Sequence, residues 1–262
     1  MNILILVAII PIIVIVNYIY TKDKNAEPKS LVKKVFWLGF AMAFPAVFFE
    51  FLLDKNYSVE LSHDLLGCFC AVYIGVAFVE EFVKWIVVML NCYKNEEFDE
   101  VYDGIVYSVY ASLGFACIEN LLYVSQGGIG TGLIRAILSV PSHACFSVFM
   151  GYFLGKAKIF RNEKNKLEEI KYLLLSLLAP TFIHAIFDFL LFANGYFAFP
   201  IYVFYLFVGI QYIVCFIIVK RISKRSEKIV LRNGNEIHYC GNCGSGCDTT
   251  YCTKCGYQNR NK

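Results

Sequence analysis

The sequence predicts an all-α membrane protein, a polytopic helical bundle of about seven transmembrane helices followed by a small cytosolic zinc-ribbon tail. Three observations predict it. The 262-residue chain is 58% hydrophobic and 17% charged, with a mean hydropathy of +0.57, too apolar for a soluble globular domain of this length. Apolar runs of bilayer-spanning length recur about seven times. Of the 11 Cys, six (Cys68, Cys70, Cys92, Cys117, Cys145 and Cys215) lie singly in or near apolar runs, as small packing residues do, and the rest crowd near the C-terminus.

The runs fall near Ile3–Tyr20, Val35–Leu53, Leu65–Leu90, Tyr102–Val124, Leu133–Phe153, Tyr172–Ala193 and Phe199–Val219. Backbone polar groups cannot stay unpaired in lipid, so each run is expected to be a helix. The first lacks a basic segment before it and a small-residue cleavage site. It reads as a retained helix, kinked at Pro11, rather than a signal peptide. The Gly127–Gly132 stretch, GGIGTG, follows no strand and lacks a phosphate-binding Lys, so it is expected to be a flexible outer turn. Gly151 and Gly155 have the GxxxG spacing of close helix contact.

Basic residues set the orientation. Lys22, Lys24, Lys29, Lys33 and Lys34 follow the first run; Lys156, Lys158, Arg161, Lys164, Lys166 and Lys171 follow the fifth; Lys220, Arg221, Lys224 and Arg225 follow the seventh. The alternate loops carry little positive charge. The expected placement is a multi-pass protein of the cell membrane, N-terminus outside and C-terminus cytosolic, with residues 1–226 in the bilayer domain and 227–262 in the tail.

The third run is apolar from Tyr73 to Leu90 except for Glu80, Glu81 and Lys84. Helical spacing puts both acids on the face of Lys84, at i,i+4 and i,i+3. A charge near a bilayer centre costs at least a few kcal/mol, so such residues are rare and usually functional. Three further runs carry polar groups: Glu119 and Asn120 in FACIEN, His143 in VPSHACF, and His184 with Asp188 one helical turn later in HAIFD. Any one of these could be a satisfied core residue, and Glu80–Lys84 alone could be a packing ion pair. Together they are the residue types that activate water, through a carboxylate base or by holding a metal. There is no HExxH and no nucleophile-elbow motif.

In the tail, Cys240 with Cys243 and Cys252 with Cys255 form two CxxC pairs, each in a Gly-containing turn, with His238 and Cys247 as spare ligands. This is the pattern of a structural Zn²⁺ site, and a cytosolic location disfavours the alternative of two disulfides.

The membrane motifs resemble those of PrsW-type intramembrane proteases, within the superfamily of CAAX prenyl proteases and bacteriocin-processing enzymes. EEFVK at Glu80–Lys84 is similar to their EExxK, FACIEN to their FxxxEN, His143 with Gly151 to their third motif, and HAIFD to their HxxxD. The resemblance covers about residues 65–190, with the motifs in the same order. It implies an endopeptidase that cleaves a membrane-anchored protein such as an anti-sigma factor. By analogy, Glu80 or Glu81 would be the general base on water, and His143 and His184 would orient that water and stabilise the intermediate. Glu119 would help to position it, Asn120 would donate to the oxyanion, Asp188 would orient His184, and Lys84 would keep the paired acids charged. A catalytic divalent metal is left open. The zinc ribbon is an addition to the family pattern, fit for docking a cytosolic protein partner, and no nucleic acid is expected. The rival readings are an ion-binding transporter and a non-enzymatic membrane sensor or scaffold. One feature strains the expected site: at about 1.5 Å per residue, Glu80 lies about 22 Å below the outer end of its run and Glu119 only about 8 Å below the end of its own.

Overall fold

The structure is a computed structural model that describes residues 3–54, 64–225, 238–239 and 246–247. The chain order is α1 (Ile3–Lys22), α2 (Lys29–Asp54), α3 (Leu65–Val72), a π-helical turn (Tyr73–Ala77), α4 (Phe78–Asn91), α5 (Val101–Ile137), α6 (Ser139–Asn162), α7 (Lys166–Phe197) and α8 (Ile201–Arg225). Local signals explain the starts. Asp64 caps α3 through Gly67 N at 2.6 Å, Glu100 and Asp103 form a capping box on α5, and Asn165 caps α7. In the tail, His238–Tyr239 pairs antiparallel with Gly246–Cys247. Cys240, Cys243, Cys252 and Cys255 lie outside the described residues.

Among the described residues, six helical runs are long and apolar enough to cross a membrane. The 62-residue run Val101–Asn162 contains both α5 and α6. These meet at Leu138 and pack along each other more extensively than any other pair. Large apolar side chains face outward, among them Trp37, Phe51, Leu90 and Ile213, as expected of helices in lipid.

The expected outer turn narrows to a single residue, Gly128. α5 stays helical past Val124 to Gly128, whose φ of +72° and ψ of −162° break it, and helix resumes to Ile137. Only Gly reaches that conformation without strain, and a Cβ at Gly128 would meet nothing within 4 Å; the requirement is conformational, not steric. The bend folds Arg135 back toward Glu119. Pro11 lies within an α1 that runs unbroken from Ile3 to Lys22.

α5 is the central helix, touched by α1, α2, α4, α6 and α8. Almost every residue from Val101 to Cys117 is buried. Glycines permit this closeness. A Cβ on Gly39 would lie 2.0 Å from the Ala111 carbonyl oxygen, and one on Gly151 would lie 2.2 Å from that of Gly104. Gly155 faces Val101 in the same seam, so the GxxxG pair of α6 does make the close contact its spacing predicts. Between α4 and α7, the Trp85 indole donates to Ser176 Oγ at 2.9 Å. This packing fixes α4, α5, α6 and α7 around the polar groups. A Gly151→Val substitution is expected to force α5 and α6 apart, at a cost of about 1–3 kcal/mol or more. It should lower the melting temperature and membrane accumulation; an unchanged melting temperature of the purified variant would contradict the seam.

Candidate active site

Glu80 and Glu81 stand in the first turn of α4, and Lys84 one turn on. The Lys84 ammonium donates to Glu80 Oε2 at 2.9 Å and to Glu81 Oε1 at 2.8 Å, and its third contact is His143 Nδ1 at 3.3 Å. An ammonium has three donors and no acceptor, so His143 Nδ1 receives the bond. The network therefore assigns the ring's proton to Nε2, which lies 2.9 Å from Glu119 Oε2. Lys84 and Glu81 are fully buried, and the Phe115 ring lies 4.4 Å from the ammonium. His184, on α7, faces Glu81 Oε1 through Nδ1 at 3.0 Å and Asp188 Oδ2 through Nε2 at 3.3 Å. Carboxylates on both nitrogens and the Phe146 ring stacked at 4.4 Å fix its plane.

The mismatch in depth is absorbed in two ways. The extra turn of α5 up to Gly128 adds about 6 Å above Glu119, and the His143 imidazole spans from Glu119 to Lys84.

A cavity of 530 Å³ opens beside this network. Glu80, Glu119, His143, His184 and Asp188 line it, with apolar walls that include Phe44, Val47, Leu122 and Phe192. Glu81 and Lys84 do not line it; they lie behind Glu80 and His184, holding them. Asn120 does not line it either. Its amide donates to the Ala8 carbonyl at 2.8 Å, and its oxygen accepts from Arg135 Nε at 2.9 Å. These bonds engage Asn120 away from the cavity and tie α5 to α1.

Two charged residues in the cavity wall escaped sequence reasoning. Arg135 pairs with Glu119 Oε1 at 2.8 Å and lies over the Tyr123 ring at 4.2 Å. Glu50, on α2, lines the cavity with a buried oxygen, Oε1, that has no hydrogen-bond partner. Each is a lone charge within or beside an apolar run, without the partners at helical spacing that singled out Glu80.

Ligand atoms of Glu80, Glu81 and His184 lie within 4.8 Å of one another, and so do those of Glu80, Glu119 and His143. Mixed carboxylate and imidazole donors suit Zn²⁺. Glu81 Oε2 is buried with no hydrogen-bond partner. Among the described residues, the permanent cations paired with Glu80, Glu81, Glu119 and Asp188 are Lys84 and Arg135, so these four acids outnumber their permanent cations by two, a gap that protons or a metal ion must fill. The donor set therefore fits a divalent metal.

The sequence profile of the PrsW family intramembrane metalloproteases matches residues 27–217, which hold every residue of this site. The chain belongs to that family. Three relatives, each named Protease PrsW, agree. The protein of Geobacillus kaustophilus is 42% identical over 192 residues, covering 73% of this chain and 80% of its own. That of Oceanobacillus iheyensis is 40% identical over 183 residues, covering 70% and 80%. That of Bacillus subtilis is 37% identical over 207 residues, covering 78% and 90%. No solved structure matches the chain. The protein is a PrsW family intramembrane protease, a multi-pass membrane protein whose substrate is a protein.

The buried ammonium makes a specific demand on stability. Lys84→Met leaves Glu80 and Glu81 without their cation, and breaking a buried pair typically costs about 3–5 kcal/mol. The variant is expected to accumulate poorly in membranes. Wild-type levels with altered cleavage alone would assign Lys84 a purely catalytic part.

Proposed function

We propose that this PrsW family protease cleaves a membrane-anchored protein, such as a transmembrane anti-sigma factor, with water activated among Glu80, Glu119, His143 and His184. The observation that carries the reading is the convergence of these groups from α4, α5, α6 and α7 on one apolar-walled cavity. A wall this apolar suits a substrate segment leaving the bilayer.

Glu80 is the carboxylate best placed to take a proton from water, because it faces the cavity while the Lys84 ammonium holds its Oε2 from behind. Glu81 holds Lys84 and His184 in place. His184 lines the cavity, and Asp188 orients it and offsets its charge. His143 carries its proton on the nitrogen facing Glu119 and so holds that carboxylate at the cavity wall. The Arg135 guanidinium, in the cavity wall, takes the place expected of Asn120 in balancing an oxyanion. A divalent metal held by Glu80 with Glu119 and His143, or by Glu80 with Glu81 and His184, would lower the pKa of bound water and polarise the scissile carbonyl.

The remaining readings follow charge and spacing. Counting α5 and α6 as separate passes gives seven crossings within residues 1–226. The Lys/Arg-rich loops then put the N-terminus outside and residues 227–262 in the cytosol. Cys240, Cys243, Cys252 and Cys255 hold a structural Zn²⁺, and the tail docks a cytosolic partner. The short antiparallel pairing of His238–Tyr239 with Gly246–Cys247 supports this, since the paired segments flank the first CxxC pair in sequence.

Two outcomes test these readings. Glu80→Gln and His184→Ala are each expected to lower cleavage of a co-expressed membrane-anchored substrate by about 10²–10⁴-fold or more, at undiminished protein level, with the double variant no worse than either single one. Normal cleavage by Glu80→Gln would sink the mechanism and favour a transporter or scaffold. Truncation after Ser226 is expected to remove one zinc per purified chain while sparing cleavage; an unchanged zinc content would dismiss the ribbon.

A further inference from the structure

A second group of buried acids lies where the turn between α1 and α2 packs on the start of α5, apart from the cavity. Asp23 and Glu27 come from the turn, and Glu100 and Asp103 from the capping box. Their exposures are 9%, 4%, 1% and 0%. Ligand oxygens of Asp23, Glu100 and Asp103 lie within 4.8 Å of one another. Capping alone leaves this arrangement unexplained. Asp103 Oδ2 accepts from the Asp99 and Glu100 backbone N–H groups, while Asp103 Oδ1 is buried with no hydrogen-bond partner. Asp23 Oδ1 accepts from Asn25 N at 3.1 Å, while Asp23 Oδ2 is likewise buried and unpartnered.

Neutral side chains help to hold the acids together. The Tyr107 hydroxyl donates to Glu27, and the Asn25 amide donates to Glu100. None of the ion pairs among the described residues reaches Asp23, Glu27 or Asp103. Lys158 is near enough to attract Asp103, but its ammonium donates to the Tyr93 and Asn95 carbonyls at 2.9 and 3.0 Å. Burial, joined by repulsion from neighbouring acids, raises the Asp23 carboxyl above its ordinary value and brings Glu27 up to about 7. Buried carboxylate oxygens without partners, as on Asp23 and Asp103, are costly unless protons or a metal ion relieve them.

We propose that Asp23, Glu100 and Asp103 form a binding site for a hard divalent cation, Mg²⁺ or Ca²⁺. The donors are all oxygen, the set these ions take and one poorly matched to softer metals. Asp23 stands at the rim, beside the exposed Asn25, and gives the ion its way in. A bound ion clamps the α1–α2 turn to the start of α5, the helix that carries Glu119 further along. The rival occupant is a proton shared by Glu27 and Asp103, which stand within reach of each other.

The test uses the full chain, purified in detergent and stripped of metal. Mn²⁺ serves as a countable stand-in for Mg²⁺ in equilibrium dialysis. Wild type is expected to bind one more Mn²⁺ per chain than Asp23→Asn or Asp103→Asn. Added Ca²⁺ or Mg²⁺ should raise the melting temperature of wild type and Glu80→Gln alike, which separates this site from the cavity, and should leave Asp23→Asn unmoved. If Asp103→Asn fails to fold, because Asp103 also caps α5, Asp23→Asn decides. Equal Mn²⁺ counts in wild type and Asp23→Asn would overturn the site. So would a melting temperature that rises on acidification to about pH 5.5 but not on adding cation, which assigns the gap to shared protons.

Discussion

The fully buried ammonium of Lys84 is the constraint on which the rest of the site depends. It has three donors and spends them on Glu80, Glu81 and His143. Each contact fixes something else. Glu80 is held at the cavity wall, Glu81 is held where it positions His184, and His143 is left with the proton that faces Glu119. Three helices are thus registered around one charge. The arrangement survives only because both acids come from the same helix as the lysine, one turn away, so little extra ordering is needed to bring them together.

Backbone closeness makes this registration rigid. Gly39 against Ala111 and Gly151 against Gly104 bring α2 and α6 onto α5 at distances that no Cβ permits. In lipid, where apolar burial gives helices little reason to associate, such packing and buried polar contacts supply the association. The cavity remains open beside α5 because the walls around it are large aromatic and aliphatic side chains, Phe44, Leu122, Phe146 and Phe192 among them.

How much of this was legible depended on the range of the interaction. Glu80, Glu81 and Lys84, and likewise His184 and Asp188, declared their contacts by helical spacing, and the structure makes each of those contacts. The depth at which Glu119 meets His143 was not legible, because it depends on α5 continuing as helix up to Gly128. Local composition, GGIGTG, pointed to a turn there. The same misreading hid Arg135, which reaches Glu119 only because the chain bends at Gly128 and returns as helix. Asn120 adjoined Glu119 in a motif and was assigned chemistry with it. On a helix, adjacent residues point about 100° apart, and Asn120 turns to α1 and Ala8 instead. Glu50 enters the cavity through tertiary packing of α2 alone, which no spacing within α2 encodes.

The central claim is that Lys84 serves first as the charge that its two acids require. The most direct measurement is the membrane accumulation and melting temperature of Lys84→Met set beside those of the triple variant Lys84→Met, Glu80→Gln, Glu81→Gln. Removing all three charges removes the stranded acids, and replacing a buried ion group by neutral residues is often neutral or stabilising. The account predicts that the triple variant regains accumulation and melting temperature relative to Lys84→Met, with cleavage still absent. A triple variant no more stable than Lys84→Met would contradict it.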